Sequence, residues 1–200
     1  MKFKNLSIAV ILVCMTFASS AQITKGDWIL GGTFNFNNSN SGPPAFATSN
    51  ANISPHLGLA VGRNSVMGLS FSFGYYSNSP GQKNLSFSSN VFYRRYIILK
   101  NKLGCYLQYN GGVALSKSTE YIFDSTGASV KSNLYGQTYN LGFTPGLYYQ
   151  VTPGILLNLD AGGVAYYYSD FGHGQWASSL FVGFLNQFSF GVEFILGKKS

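Results

Sequence analysis

Charge is what this chain has least of. Asp, Glu, Lys and Arg make up 10% of its 200 residues, against about 25% in ordinary soluble domains. Too few ionic groups remain to build a water-facing surface of normal polarity. Histidine and cysteine are scarcer still, at two each. His56 and His173, far apart and with so little cysteine, make no metal-ligand cluster. Cys14 lies inside an N-terminal apolar run, which leaves Cys105 without a disulfide partner. That run, over 6–17, is short of the ~20 residues a membrane-spanning helix needs, and no later segment is long and apolar enough. The glycines alternate within apolar stretches instead of preceding a helix, so no phosphate loop is present. No cofactor is expected.

What is abundant points the other way. Aromatics reach 16%, with 24 glycines and 14 tyrosines, a composition suited to tight turns, close strand approach and interfacial rings. At the N-terminus Lys2 and Lys4 precede the apolar run, and Ser19-Ser20-Ala21 follows it, the layout of a cleaved signal peptide over 1–21 and a mature domain over 22–200. Cys14 is preceded by Ile11-Leu12-Val13, the wrong context for lipoprotein processing. Losing Lys2 and Lys4 lowers the formal net charge from +7 to +5.

The mature chain alternates. Near its end Leu180, Val182, Phe184, Phe188, Phe190, Val192 and Phe194 share one face of an extended ribbon, while Ser179, Gly183, Gln187, Ser189, Gly191 and Glu193 share the other. The same contrast recurs in ribbons at 28–37, 52–62, 66–77, 85–99, 103–116, 134–151, 155–168 and 178–196. Most are long enough for the ~9–11 residues of a tilted strand crossing a bilayer. Polar turns at 63–65, 100–102 and 152–154 alternate with longer connections at 38–51, 78–84, 117–133 and 169–177. The pattern predicts an all-β fold, a transmembrane antiparallel up-and-down β-barrel of eight strands with apolar side chains facing lipid. A soluble barrel with the faces inverted would expose Gly, Ser, Thr and Asn almost without Lys or Glu, inviting aggregation. By the usual arrangement of outer-membrane barrels, short turns and both termini face the periplasm.

Rings gather near the strand ends, at Trp28, Tyr75, Tyr93, Tyr149, Tyr167 and Trp176, with Tyr76, Tyr96, Tyr148 and Tyr166 beside them, the pattern of an aromatic girdle at a membrane interface. Arg94, Glu193, Asp160 and His56 fall on inward positions. An ion inside a narrow barrel must be paired and hydrogen-bonded, so Arg94 is expected to pair with Glu193 or Asp160 and plug the bore. Arg63, Arg95, Lys100, Lys102, Lys198 and Lys199 map to the short-turn end, where cations can meet lipid phosphates; nucleic acid is not implied. Lys83, Lys117 and Lys131 mix with Glu120, Asp124 and Asp170 at the other end.

Several motifs carry a resemblance: Gln22-Ile23-Thr24-Lys25-Gly26-Asp27-Trp28 after the leader, Ile53-Ser54-Pro55 and Val66-Met67-Gly68-Leu69-Ser70 opening the second and third ribbons, and Tyr93-Arg94-Arg95-Tyr96 before a lysine-flanked turn. Together they resemble the small outer-membrane β-barrel proteins of Gram-negative bacteria, the "outer membrane protein beta-barrel domain" or porin family, in versions common in Bacteroidetes. The resemblance implies outer-membrane lipids, including lipopolysaccharide, and the barrel-assembly machinery as partners of a monomer. Such chains often end on an aromatic residue read by that machinery. This one runs on to Gly197-Lys198-Lys199-Ser200, which leaves Phe190 and Phe194 as the assembly signal.

No catalytic site is expected. A lipid-modifying outer-membrane enzyme would need a histidine beside a nucleophile. His56, near Ser54, reads as a packing residue, and His173 sits in the glycine-bounded stretch 170–174. The preferred reading is a structural or interaction protein presenting its outer loops, chiefly 38–51 and 117–133, on a rigid, side-chain-filled barrel. The alternative is a small porin-like channel, its bore narrowed by Tyr106, Tyr148, Phe181, Arg94 and Glu193.

Overall fold

The computed structural model describes residues 23–41, 46–78, 82–123, 129–170 and 176–197, and the expected leader over 1–21 lies outside them. Eight strands follow one another: β1 (Trp28–Ser41), β2 (Phe46–Gly62), β3 (Ser65–Asn78), β4 (Lys83–Lys100), β5 (Leu103–Phe123), β6 (Ser129–Thr152), β7 (Ile155–Asp170) and β8 (Trp176–Leu196). Each pairs antiparallel with its neighbours and β1 also pairs with β8, closing the sheet into a barrel. All eight expected ribbons are strands.

The strands run further than the apolar pattern does. The β1–β2 ladder continues to Ser41↔Phe46, and the β5–β6 ladder to Phe123↔Ser129. The expected loops 38–51 and 117–133 are therefore largely hairpin ribbon. Backbone pairing needs no apolar side chains, so Ser- and Asn-rich strand ends keep their ladder where the alternation has stopped.

At the opposite end the connections are tight. Asn64 (φ 58°) and Asn101 (φ 32°) take the left-handed conformation that asparagine tolerates in such turns.

The faces sort as the alternation predicts. Leu141 is 68% and Phe190 69% exposed, and Leu69, Val91, Leu180 and Val182 likewise point outward. The lumen has two halves. At the turn end Ile29, Ala60, Val66, Phe92 and Leu156 form an apolar floor beneath Tyr96, Tyr106 and Tyr148.

The segment before β1 completes this floor. Thr24 donates its N–H and hydroxyl to Asp27 Oδ2, both at 2.8 Å. The Gly26 N–H donates to the Ala60 carbonyl at 2.8 Å and the Asn64 N–H to the Ile23 carbonyl at 3.0 Å. Ile23 is thereby buried in the floor.

The largest of several register irregularities in the wall lies between β7 and β8. On β7 and β8 the pairing passes from Asp160↔Ser189 directly to Gly162↔Phe184, so β8 carries extra residues there. Gly162 takes φ +77° at this bulge, with the Gly183 carbonyl where a Cβ would sit. Pairing between β1 and β8 stops at the same level, at Phe34↔Phe190.

Candidate functional site

Alternation along β2, β4, β7 and β8 carries His56, Arg94, Asp160 and Glu193 into the lumen, on the upper side of the apolar floor. Arg94 and Glu193 come from opposite walls and meet across the bore: Arg94 Nη1 donates to Glu193 Oε1. His56 Nε2 lies 2.8 Å from the same oxygen, and the Tyr96 hydroxyl donates to Oε2 at 2.7 Å. Glu193 has no exposed surface and Arg94 only 4%. A buried carboxylate is tolerable because a guanidinium, an imidazole and a phenol all address it. Gly31 makes the room, since a Cβ there would stand 2.6 Å from Glu193 Cγ and 2.9 Å from His56 Nε2.

Arg94 is held on every side. Its Nε donates to Gln108 Oε1 at 2.7 Å, and Nη1 also reaches the Tyr96 hydroxyl at 3.1 Å. The guanidinium carbon stands 4.4 Å from the Tyr106 ring centroid and 5.7 Å from those of Phe92 and Tyr96, a cation–π arrangement. Asp160 takes a different partner, accepting from the Tyr106 hydroxyl. Of the two acids expected to face Arg94, Glu193 makes the ion pair. Asn158, in the same layer, is buried with neither carboxamide atom hydrogen-bonded.

Above this plug the lumen is hollow. A cavity of about 330 Å³ stands over Arg94, with Ser54, Ser72, Asn90, Asn110 and Asn140 in its wall. A second of about 240 Å³ lies against β7 and β8 beside Phe181 and Ser189, and both share Asn110, Asn140, Asp160 and Tyr167. The two form one polar cup, with half-buried walls and a sealed floor.

Of the expected girdle, Trp28, Tyr93 and Tyr149 face outward at the turn end, and Tyr75 and Trp176 at the other, where Trp176 stacks on Tyr168 with centroids 6.3 Å apart. Tyr167 is a correction: it lines the cup, and its neighbours Tyr166 and Tyr168 point outward instead. Nearness to a strand end does not decide facing, and parity does. For the same reason Tyr96 and Tyr148 lie in the lumenal floor. Lys102 is buried rather than offered to lipid phosphates, whereas Arg63 and Lys100 are exposed and the outward Arg95 donates to Ser65 Oγ at 2.8 Å.

Phe181, expected to narrow the bore, is 40% exposed in the wall of the open cup. Phe190 and Phe194 both face outward. His173, Lys198 and Lys199 lie outside the described residues, as does Asp124, and the side chains of Glu120 and Lys131 are likewise not described.

The sequence reading missed the apolar floor. Ile29 and Leu156 sit between apolar neighbours, and Val66 follows the turn directly beside outward Met67, so all three blur the alternation. A burial signal was available for Ile29, which shares its face with Gly31 and Thr33.

No protein-family model matches the chain, and no curated protein does. Solved structures similar to it include Neisserial surface protein A, at 16% identity and TM-score 0.45, covering 85% of this chain and 97% of that one. The N-terminal β-barrel domain of Pseudomonas aeruginosa OprF is 13% identical with TM-score 0.41, covering 86% and 98%. The attachment invasion locus protein Ail of Yersinia pestis, solved with the heparin analogue sucrose octasulfate, is 12% identical with TM-score 0.36, covering 86% and 100%.

Proposed function

We propose that the mature chain over 22–200 is an integral, non-catalytic barrel of a Gram-negative outer membrane, of the kind found in Bacteroidetes, with a structural or interaction role. The carrying observation is the contrast between the two faces of the wall: Leu, Val and Phe side chains stand outward all round the barrel, while the buried charges and amides turn inward. Water cannot be the solvent of such an exterior, and hydrocarbon can. The turn end and both termini face the periplasm, and the four hairpin ends face outward, toward lipopolysaccharide or a partner surface. The assembly machinery reads Phe190 and Phe194.

The sealed floor favours this reading over a channel. Beneath the Arg94–Glu193 pair the bore is packed by Ile23, Ile29, Val66 and Leu156 together with the buried side chains of Asn158 and Gln150, which leaves it filled toward the turn end among the described residues. His56 supports the non-catalytic reading, since its Nε2 is engaged by a carboxylate and its ring packs edge-on against Phe92 at 5.7 Å.

The two tryptophans, Trp28 and Trp176, sit outward at opposite ends of the barrel and make a direct test. In vesicles, lipids brominated near the headgroup should quench both more strongly than lipids brominated at the chain end. A monodisperse, detergent-free chain whose tryptophans ignore brominated lipid refutes the membrane reading. In planar bilayers no steady conductance is expected, and stable channel steps would restore the porin-like alternative.

A further inference from the structure

The barrel is closed along only part of its height. β1 pairs with β2 along its whole length, from Trp28↔Leu59 to Ser41↔Phe46. With β8 it pairs only from Trp28↔Leu196 to Phe34↔Phe190. Above that level the edges of β1 over 35–41 and β8 over 176–189 face each other without a ladder. A side-chain bridge spans the gap, the Asn35 amide donating to the Phe188 carbonyl at 3.0 Å and to Ser189 Oγ at 3.4 Å.

This seam is flanked on the outside by Phe34, Phe36, Phe184 and Phe188, all exposed. Strand edges left unpaired among lipid tails are costly, because hydrocarbon offers no hydrogen bonds. The polar cup reaches the same place from within: Ser189 and Phe181 belong to its wall, and Thr33 lies beside its floor. Its volume, about 330 Å³ for the larger part, falls at the lower end of the ~300–1,000 Å³ of small-molecule sites.

We propose that the cup and seam together bind a single-chain amphiphile, its uncharged, hydroxyl-bearing head among the lumenal Ser and Asn side chains and its tail leaving the barrel between β1 and β8. The head carries no negative charge because the cation within reach is already taken, Arg94 by Glu193, and it bears hydroxyls because the carboxylate of Asp160, which accepts one bond from Tyr106, lines the cup as an acceptor. The rest of the lining is hydroxyl and carboxamide, cross-bonded in pairs such as Ser54–Ser72 and Asn140–Asn90, each group keeping further donor or acceptor capacity. A hydroxyl-rich head can donate to and accept from both open strand edges, and the phenylalanines at the seam give the tail an apolar exit. The tail's destination rests on the membrane reading above.

The test uses the mature barrel in phosphatidylcholine vesicles doped with a monoacylglycerol that carries a diazirine in its acyl chain. After irradiation, peptide mapping should place adducts on Phe34, Phe36, Phe184 and Phe188 several-fold more often than on Phe87 and Val91, which lie on the far wall. Unlabelled monoacylglycerol should suppress them, and Ala114→Phe, which fills the cup from the wall opposite the seam, should cut them to the background of the far wall. Should that variant fail to fold, Ser72→Leu serves the same purpose. Even labelling round the barrel, labelling insensitive to both cup variants, or copies paired edge to edge at the seam in native mass spectrometry would overturn the proposal while leaving the membrane reading intact. Failure to enter vesicles at all would defeat both.

Discussion

Replacing Glu193 by Gln keeps the shape of the plug and removes the carboxylate that pairs with Arg94. The Arg94 guanidinium then remains 4% exposed, between aromatic rings and without an anion on its Nη1 side. Breaking a buried ion pair from one side typically costs about 3–5 kcal/mol, much of it the desolvation of the charge left behind. Arg94→Met, which keeps most of the stem, orphans Glu193 in the same way, although His56 and Tyr96 still address the carboxylate; its expected cost is therefore toward the lower limit, about 3 kcal/mol.

The double variant holds neither charge. It should lose no more than the worse single change, a coupling at least as large as the smaller single loss, about 3 kcal/mol. The assay is urea unfolding of the refolded barrel in vesicles, read by Trp28 and Trp176 fluorescence with the slope of the transition compared across all four proteins. Losses that add to within about 0.5 kcal/mol, or a Glu193→Gln barrel with an unmoved midpoint, would refute the idea that this pair holds the bore together.

Gly31→Ala should lower the unfolding midpoint, costing about 1–3 kcal/mol, because its Cβ would intrude on both Glu193 and His56; an unchanged midpoint would mean the plug is loosely packed. Asn158→Leu should do the reverse and stabilise by roughly 1 kcal/mol, since it removes a buried carboxamide with no partner; a destabilised variant would show that the amide is bonded after all. Val91→Lys, on the lipid-facing side between Phe87 and Tyr93, should cost about 2–4 kcal/mol of membrane stability, whereas a change of a few tenths would place that position in water. Gly162→Ala should lose roughly 1–3 kcal/mol for strain at φ +77°, and equal stability would mean that the bulge can flatten.

The barrel was legible because lipid and lumen impose opposite chemistry on alternate residues. Leu103, Leu107 and Tyr109 against Tyr106, Gln108 and Asn110 is enough to orient β5. Parity also brought Arg94 and Glu193 indoors. It could not choose between Glu193 and Asp160, because that depends on the axial stagger of β4 against β7 and β8, which no single strand encodes. Tyr167 shares its place near a strand end with the girdle rings, but its parity turns it into the cup while Tyr166 and Tyr168 face outward. The strand ends at 38–41 and 117–123 carry no apolar–polar alternation, the first being Ser and Asn and the second a polar run closed by Tyr121-Ile122-Phe123, although a ladder is made by backbone. Tyr96 and Gln108, which complete the plug, gave no signal beyond facing inward.

The partial ladder between β1 and β8 makes the molecule a split ring. Below the slit, hydrogen bonds run round the full circumference and fix the bore; above it, the girth is set by bending of the wall and can widen without breaking a single backbone bond. The rigid half is also the half that holds the ionic cross-tie, so a change of calibre at the rim need not be felt at the base.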